Sequence, residues 1–154
     1  MLQINYLKVY FSFTGFNFFN LARQHFNMLL PHLVIAPSKN RGRGVFTTKN
    51  IPVDTVIEVS PVIELSQKER KQIEGTKLYH YIFEWGNSRR KAAMALGYIS
   101  MYNHSFEPNC EYEQDYEAET MTIRTIRNVK KGEELYFSYN GDPNDKSPLW
   151  FKTS

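Results

Sequence analysis

The chain has 154 residues, 42% of them hydrophobic and 15% aromatic, with 19 Lys and Arg against 16 Asp and Glu for a formal charge of +3. That length suits one domain burying roughly 68–70% of its unfolded surface, and the apolar, ring-rich composition excludes intrinsic disorder. The charge is mild and spread in small groups, so no direct nucleic-acid partner is expected.

Residues 1–27 are dense in Phe, Asn and Tyr and carry no clear strand or helix punctuation. Within them, Lys8 followed by residues 9–21 is the one place for a targeting signal, but Ser12, Thr14, Asn17 and Asn20 interrupt it and no small-residue cleavage pattern follows. The stretch is also too short to span a bilayer, so no membrane partner is expected. Met28 opens a more ordinary sequence. Residues 1–27 are therefore either an extension upstream of an alternative start or an arm packed on the domain, and residues 28–154 are the working domain.

From His32 onward the text is a string of short strands. Residues 33–36 and 45–48 flank a Gly-containing loop, and residues 56–59 and 62–65 are expected as two strands parted by a Ser60-Pro61 turn. Ser66 with Glu69 three residues on is the capping-box pattern, predicting a short helix over 67–74 that stops at Gly75. Residues 79–85 return to strand-like aromatic content, Gly86-Asn87-Ser88 reads as a turn, and 91–96 is ambiguous. Strands are predicted again at 110–116, 120–126 and 134–139, joined by polar turns. The pattern is mostly β with one or two short helices.

Single residues carry little by themselves. Gly42-x-Gly44 alone means a tight turn or a close backbone approach, Asn103 in a turn ordinarily caps its own backbone, and Tyr139 alone is a half-buried strand tyrosine. Cys110 is the one cysteine, which excludes an intramolecular disulfide and a cysteine zinc cluster. His25, His32 and His80 lack spaced ligand partners, so no metal is expected. A reducing, intracellular compartment fits, whether cytoplasm, nucleus or nucleoid.

Three runs together say more: Arg41-Gly42-Arg43-Gly44-Val45-Phe46, then Asn103-His104-Ser105-Phe106-Glu107-Pro108-Asn109, then Gly132-Glu133-Glu134-Leu135-Tyr136-Phe137-Ser138-Tyr139. In this order they resemble the signature of SET-domain protein lysine methyltransferases, over residues 33–150. The resemblance implies a β-clip of small sheets whose C-terminal strand segment passes beneath a preceding loop. It implies S-adenosylmethionine as cofactor, bound by Arg41, Gly42, Arg43, Gly44, Asn103 and His104. Tyr139 would be the active-site tyrosine, and Tyr102, Tyr112, Phe137 and Trp150 would wall or cover a channel for the lysine of a protein or peptide substrate, histone-like in class. A Tyr at position 112 implies addition of one methyl group.

The chain departs from the family pattern at several points. Ser138 stands where the family usually has Asp, Phe106 where many members have a zinc-binding Cys, and Met101-Tyr102 where Arg-Phe is common. The insert over 65–91 is short. A SET-like module that binds cofactor or peptide without turnover is the alternative expectation.

Overall fold

Residues 28–39 and 41–149 are described in a computed structural model; the expected extension at 1–27 and the expected lid residue Trp150 lie outside them. The longest strand, β4 (Val56–Leu65), organises the larger sheet. It pairs antiparallel with β6 (Lys91–Ala95) and β9 (Thr120–Thr125), and these pair in turn with β5 (Ile82–Trp85) and β8 (Cys110–Asp115). A two-residue strand, β1 (Met28–Leu29), also joins β4. The smaller sheet runs β2 (Leu33–Pro37), β3 (Arg43–Thr47), β10 (Glu134–Phe137), β7 (Asn103–His104), and its β10–β7 pair is parallel.

The mostly β expectation holds, with three local differences. Ser60-Pro61 is no turn; β4 runs straight through it. Residues up to Pro61 register with β9 and residues from Val62 register with β6, so the proline falls where the strand changes partner and its missing N–H breaks no ladder. Residues 77–81 form a 3₁₀ turn and the strand begins at Ile82, because β6 offers partners only for Ile82 through Trp85. The Asn103-His104 pair, expected in a turn, is a strand that lies beside Tyr136 and Phe137.

The helix α1 (Gln67–Ile73) forms as its capping box dictates, with the Ser66 N–H donating to Glu69 Oε2 at 2.8 Å and the Glu69 N–H to Ser66 Oγ at 3.3 Å. The ambiguous run at 91–96 is strand as far as Ala95, with Ala92, Ala93 and Ala95 all buried.

The core lies between the sheets, where Val45, Ile57, Ile99, Met121, Ile123, Leu135 and Phe137 are 0–1% exposed. Strand β10 enters this core last in sequence and takes the place between β3 and β7. The loop after β7 holds it: the Ser105 N–H donates to Phe137 O at 3.2 Å and the Asn109 N–H to Tyr136 O at 3.2 Å. Asn109, itself buried, completes the clasp by donating from Nδ2 to Glu134 O and accepting from Tyr136 N, both at 2.8 Å. The expected C-terminal insertion beneath an earlier loop thus takes the form of β10 laced to residues 105–109.

Candidate active site

The glycine loop and the Asn103-His104 strand meet across the end of the smaller sheet. Arg41 donates from Nη1 to the His104 carbonyl at 2.5 Å, and its guanidinium lies 5.6 Å from the Tyr136 ring centroid. Asn103 donates from Nδ2 to Arg43 O at 3.1 Å and to Glu134 Oε1 at 2.6 Å. Both amide protons are thereby used, which fixes the flip of the amide and leaves Oδ1 as the atom that can accept from a cationic ligand group. Gly42 has φ +71° with nothing among the described residues within 4 Å of the position a Cβ would take, so the loop is open to them on that side. Gly44 is the reverse: a Cβ there would sit 1.9 Å from Glu134 Oε1 and 2.8 Å from Asn103 Nδ2. Only glycine lets β3 approach this closely.

Glu134 is the residue that sequence reading missed at this end. It is buried, and its carboxylate accepts from Asn103, from Ser38 Oγ at 2.7 Å and from the Tyr136 hydroxyl at 2.7 Å. Burial, then the Glu134 carboxylate, push the Tyr136 phenol up to about 12, so it stays a donor. The run Gly-Glu-Glu-Leu located Tyr139, but nothing in it shows that its second Glu reaches a side chain 31 positions back.

Tyr139 comes to the same place from the strand end. Its hydroxyl donates to the Tyr102 carbonyl at 2.9 Å, and its N–H donates to His104 Nδ1 at 3.1 Å. Burial of the hydroxyl end raises the phenol to about 12, against the opposing pull of Arg41, although 41% of the residue as a whole is exposed. Burial, then Arg41 and Lys146, lower the His104 imidazole, so it is neutral near pH 7. Its Nδ1 is an acceptor and Nε2 is the protonated nitrogen, buried and without a hydrogen-bond partner among the described residues. His104 thus orients the Tyr139 backbone through Nδ1.

Phe137 is the hub of a ring cluster. Tyr102 stacks on it at 5.7 Å and 28°, Tyr112 meets it at 5.1 Å, and Tyr139 at 5.6 Å. Phe83, on β5, touches both Tyr112 and Phe137 at 5.7 and 6.1 Å. These five rings line one groove of about 790 Å³. Phe83 was not among the expected wall residues; the aromatic alternation of 81, 83 and 85 was its only signal in the sequence. The groove runs between the facing edges of β5 and β8, where Gln114 Nε2 donates to Glu84 O at 2.9 Å. Of the expected site residues, all but Trp150 are described, and they gather at this groove and the adjoining glycine loop. Arg43 joins through its carbonyl, while its side chain is exposed.

A family model described as the SET domain matches residues 42–140. The chain belongs to the SET-domain family. It is 39% identical over 121 residues to the H3 lysine-37 specific histone-lysine N-methyltransferase of Schizosaccharomyces pombe, covering 78% of this chain and 77% of that protein. It is 31% identical over 126 residues to the Drosophila melanogaster histone-lysine N-methyltransferase trr, covering 75% of this chain but only 5% of that protein. The crystal structure of a Plasmodium falciparum protein titled as a candidate histone methyltransferase superposes with TM-score 0.57 at 26% identity, covering 71% of this chain and 98% of that one. An active polycomb repressive complex 2 structure shares the fold at TM-score 0.62 and 20% identity, over 71% of this chain and 15% of that one. Fold and relatives together define an enzyme class, the protein-lysine N-methyltransferases.

Proposed function

We propose that the protein transfers one methyl group from S-adenosylmethionine to a lysine of a histone-like substrate in the nucleus, with Tyr139 as the orienting phenol. The single observation that carries this is the Tyr139 hydroxyl 2.9 Å from the Tyr102 carbonyl, which joins the C-terminal motif to the Asn103-His104 motif at the groove. The histone class is taken from what the relatives are named for, and the nuclear location follows from a histone substrate.

The residues present fit the cofactor. Asn103 Oδ1, set by its two donated bonds, suits an ammonium, and the open Gly42 loop with the exposed Arg41 and Arg43 suits a carboxylate. Bound there, S-adenosylmethionine supplies an electrophilic methyl on a sulfonium. The rest is positioning. A free lysine holds its proton to about pH 10.4, so presenting the neutral amine at pH 7 costs about 4.6 kcal/mol unaided. The rings of Phe83, Tyr102, Tyr112 and Phe137 desolvate the ammonium and disfavour its charged form. The Tyr139 O–H is donated in a hydrogen bond to the Tyr102 carbonyl, so toward the amine the hydroxyl oxygen acts as an acceptor and orients an N–H.

Tyr139→Phe tests the assignment. With labelled donor and a histone mixture, wild type should transfer label and the variant should lose about 100-fold or more in rate. Full activity in the variant overturns the role of Tyr139, and donor binding by wild type with no transfer to any lysine makes the protein a binding module. The product number rests on Tyr112, whose burial keeps its phenol protonated within the groove. Mass spectrometry should find mainly monomethyl-lysine from wild type and added di- and trimethyl-lysine from Tyr112→Phe; mainly trimethyl-lysine from wild type refutes the restriction.

A further inference from the structure

The most deeply buried carboxylate of the larger sheet is Glu58 on β4, fully shielded from solvent in the core. Burial raises its carboxyl above the ordinary range, while the amides of Tyr98 and Ile99 and the hydroxyls of Ser60 and Tyr102 oppose the rise. None of these partners is cationic. A buried acid held this way is costly, and an apolar residue of similar volume in the same strand would generally be at least as stable. Stability alone does not account for it.

Its geometry does. Oε1 accepts from the Tyr98 N–H at 2.6 Å and from Ser60 Oγ at 2.9 Å, while Oε2 accepts from the Tyr102 hydroxyl at 3.1 Å. Residues 98 and 102 bracket one 3₁₀ turn, Ile99–Met101, and the Tyr102 N–H closes it on Ile99 O at 3.4 Å. One carboxylate therefore grips the turn at its start, through a backbone amide, and at its end, through the tip of a rigid ring that also stacks on Phe137. The carbonyl of Tyr102 is the acceptor for the Tyr139 hydroxyl. The approach is close enough to dictate the residue before the turn: Gly97 has φ +91°, and a Cβ there would lie 2.4 Å from Glu58 Oε1 and 2.4 Å from Ser60 Oγ.

We propose that Glu58 is a positioning residue for the active-site phenol: it clamps both ends of residues 98–102, the segment whose last carbonyl receives the Tyr139 hydroxyl. This rests on the role of Tyr139 proposed above. Loosening the clamp lets the carbonyl shift, and misplacement of reacting groups by about 1 Å costs on the order of 100-fold in rate. The effect belongs to the chemical step, since Glu58 bonds Ser60, Tyr98 and Tyr102 and none of the residues assigned to the donor.

The test compares Tyr102→Phe, Glu58→Ala and Glu58→Gln in single-turnover methyl transfer, with donor Kd and melting temperature measured on each. Tyr102→Phe keeps the ring and carbonyl and removes only the hydroxyl held by Glu58. It and Glu58→Ala should lower the single-turnover rate about tenfold or more while donor Kd stays within about twofold. Glu58→Gln, which can still accept from Tyr98 and bond Tyr102, should restore the rate to within about threefold of wild type, and the Glu58→Ala/Tyr102→Phe double variant should be no slower than the slower single. A normal rate in Tyr102→Phe despite a lowered melting temperature makes Glu58 a structural group only and overturns the proposal. Tyr139→Phe run alongside separates the two levels: if it is slow while the clamp variants are fast, only the role of Glu58 fails; if it too is fast, the reading of Tyr139 and the proposal fall together.

Discussion

At the scale of single residues, His104 makes the site's pH behaviour calculable. Burial, Arg41 and Lys146 depress its folded value, whereas the unfolded chain takes the proton near pH 6.5. The sign follows: stability from His104 is complete above about pH 6.5 and is lost as pH falls below it, because the unfolded state then binds the extra proton. Denaturant unfolding of wild type should lose stability between pH 7 and pH 5 faster than His104→Gln, by at most about 1.4 kcal/mol per pH unit. Gln can still accept from the Tyr139 N–H, so the fold should survive. Parallel pH curves for the two proteins would mean that His104 is not held neutral.

At the scale of elements, what the sequence made legible was whatever is local. The capping box of α1 lies within four residues, and the alternation of Cys110, Tyr112 and Gln114 against Glu111, Glu113 and Asp115 writes β8 directly into the chain. What stayed hidden depends on partners distant in sequence. Pro61 looked like a break because its tolerance in β4 is set by a change of neighbours from β9 to β6, and β7 looked like a turn because two residues become a strand only once β10 arrives beside them. The Glu134 cluster is invisible for the same reason, since Ser38, Asn103 and Tyr136 converge on it only in three dimensions. The close seam of β3 against Glu134 can be tested with Gly44→Ala, whose new methyl has no room beside Oε1. It should cost about 1–3 kcal/mol of stability and weaken donor binding, read by melting and calorimetry. Ser66→Ala, at the exposed start of α1, should cost about 1 kcal/mol and leave donor affinity unchanged. Equal effects of both variants on donor affinity would show that Gly44 acts through global stability alone.

At the scale of the whole molecule, the question is where the working domain begins. The matched family region starts at residue 42, yet the sheet it needs starts earlier. Met28 registers with Val59 and Leu29 with Glu58, the Leu30 N–H donates to Ile57 O at 3.0 Å, and Leu30 packs on the core cluster. Strand β1 therefore pairs with the stretch of β4 that carries Glu58. A chain beginning at Met28 keeps every one of these contacts. It should melt within about 2 °C of the full chain, a shift below what loss of about 1 kcal/mol produces at this size, and should bind donor with unchanged Kd. A chain beginning at His32 loses β1 and Leu30, unpairs one edge of β4 and exposes apolar core. It should melt lower by several degrees and transfer methyl more slowly, because β4 holds the clamp behind Tyr102. If the Met28 chain instead loses donor binding while still folded, residues 1–27 take part in the site and the domain boundary moves to the start of the sequence.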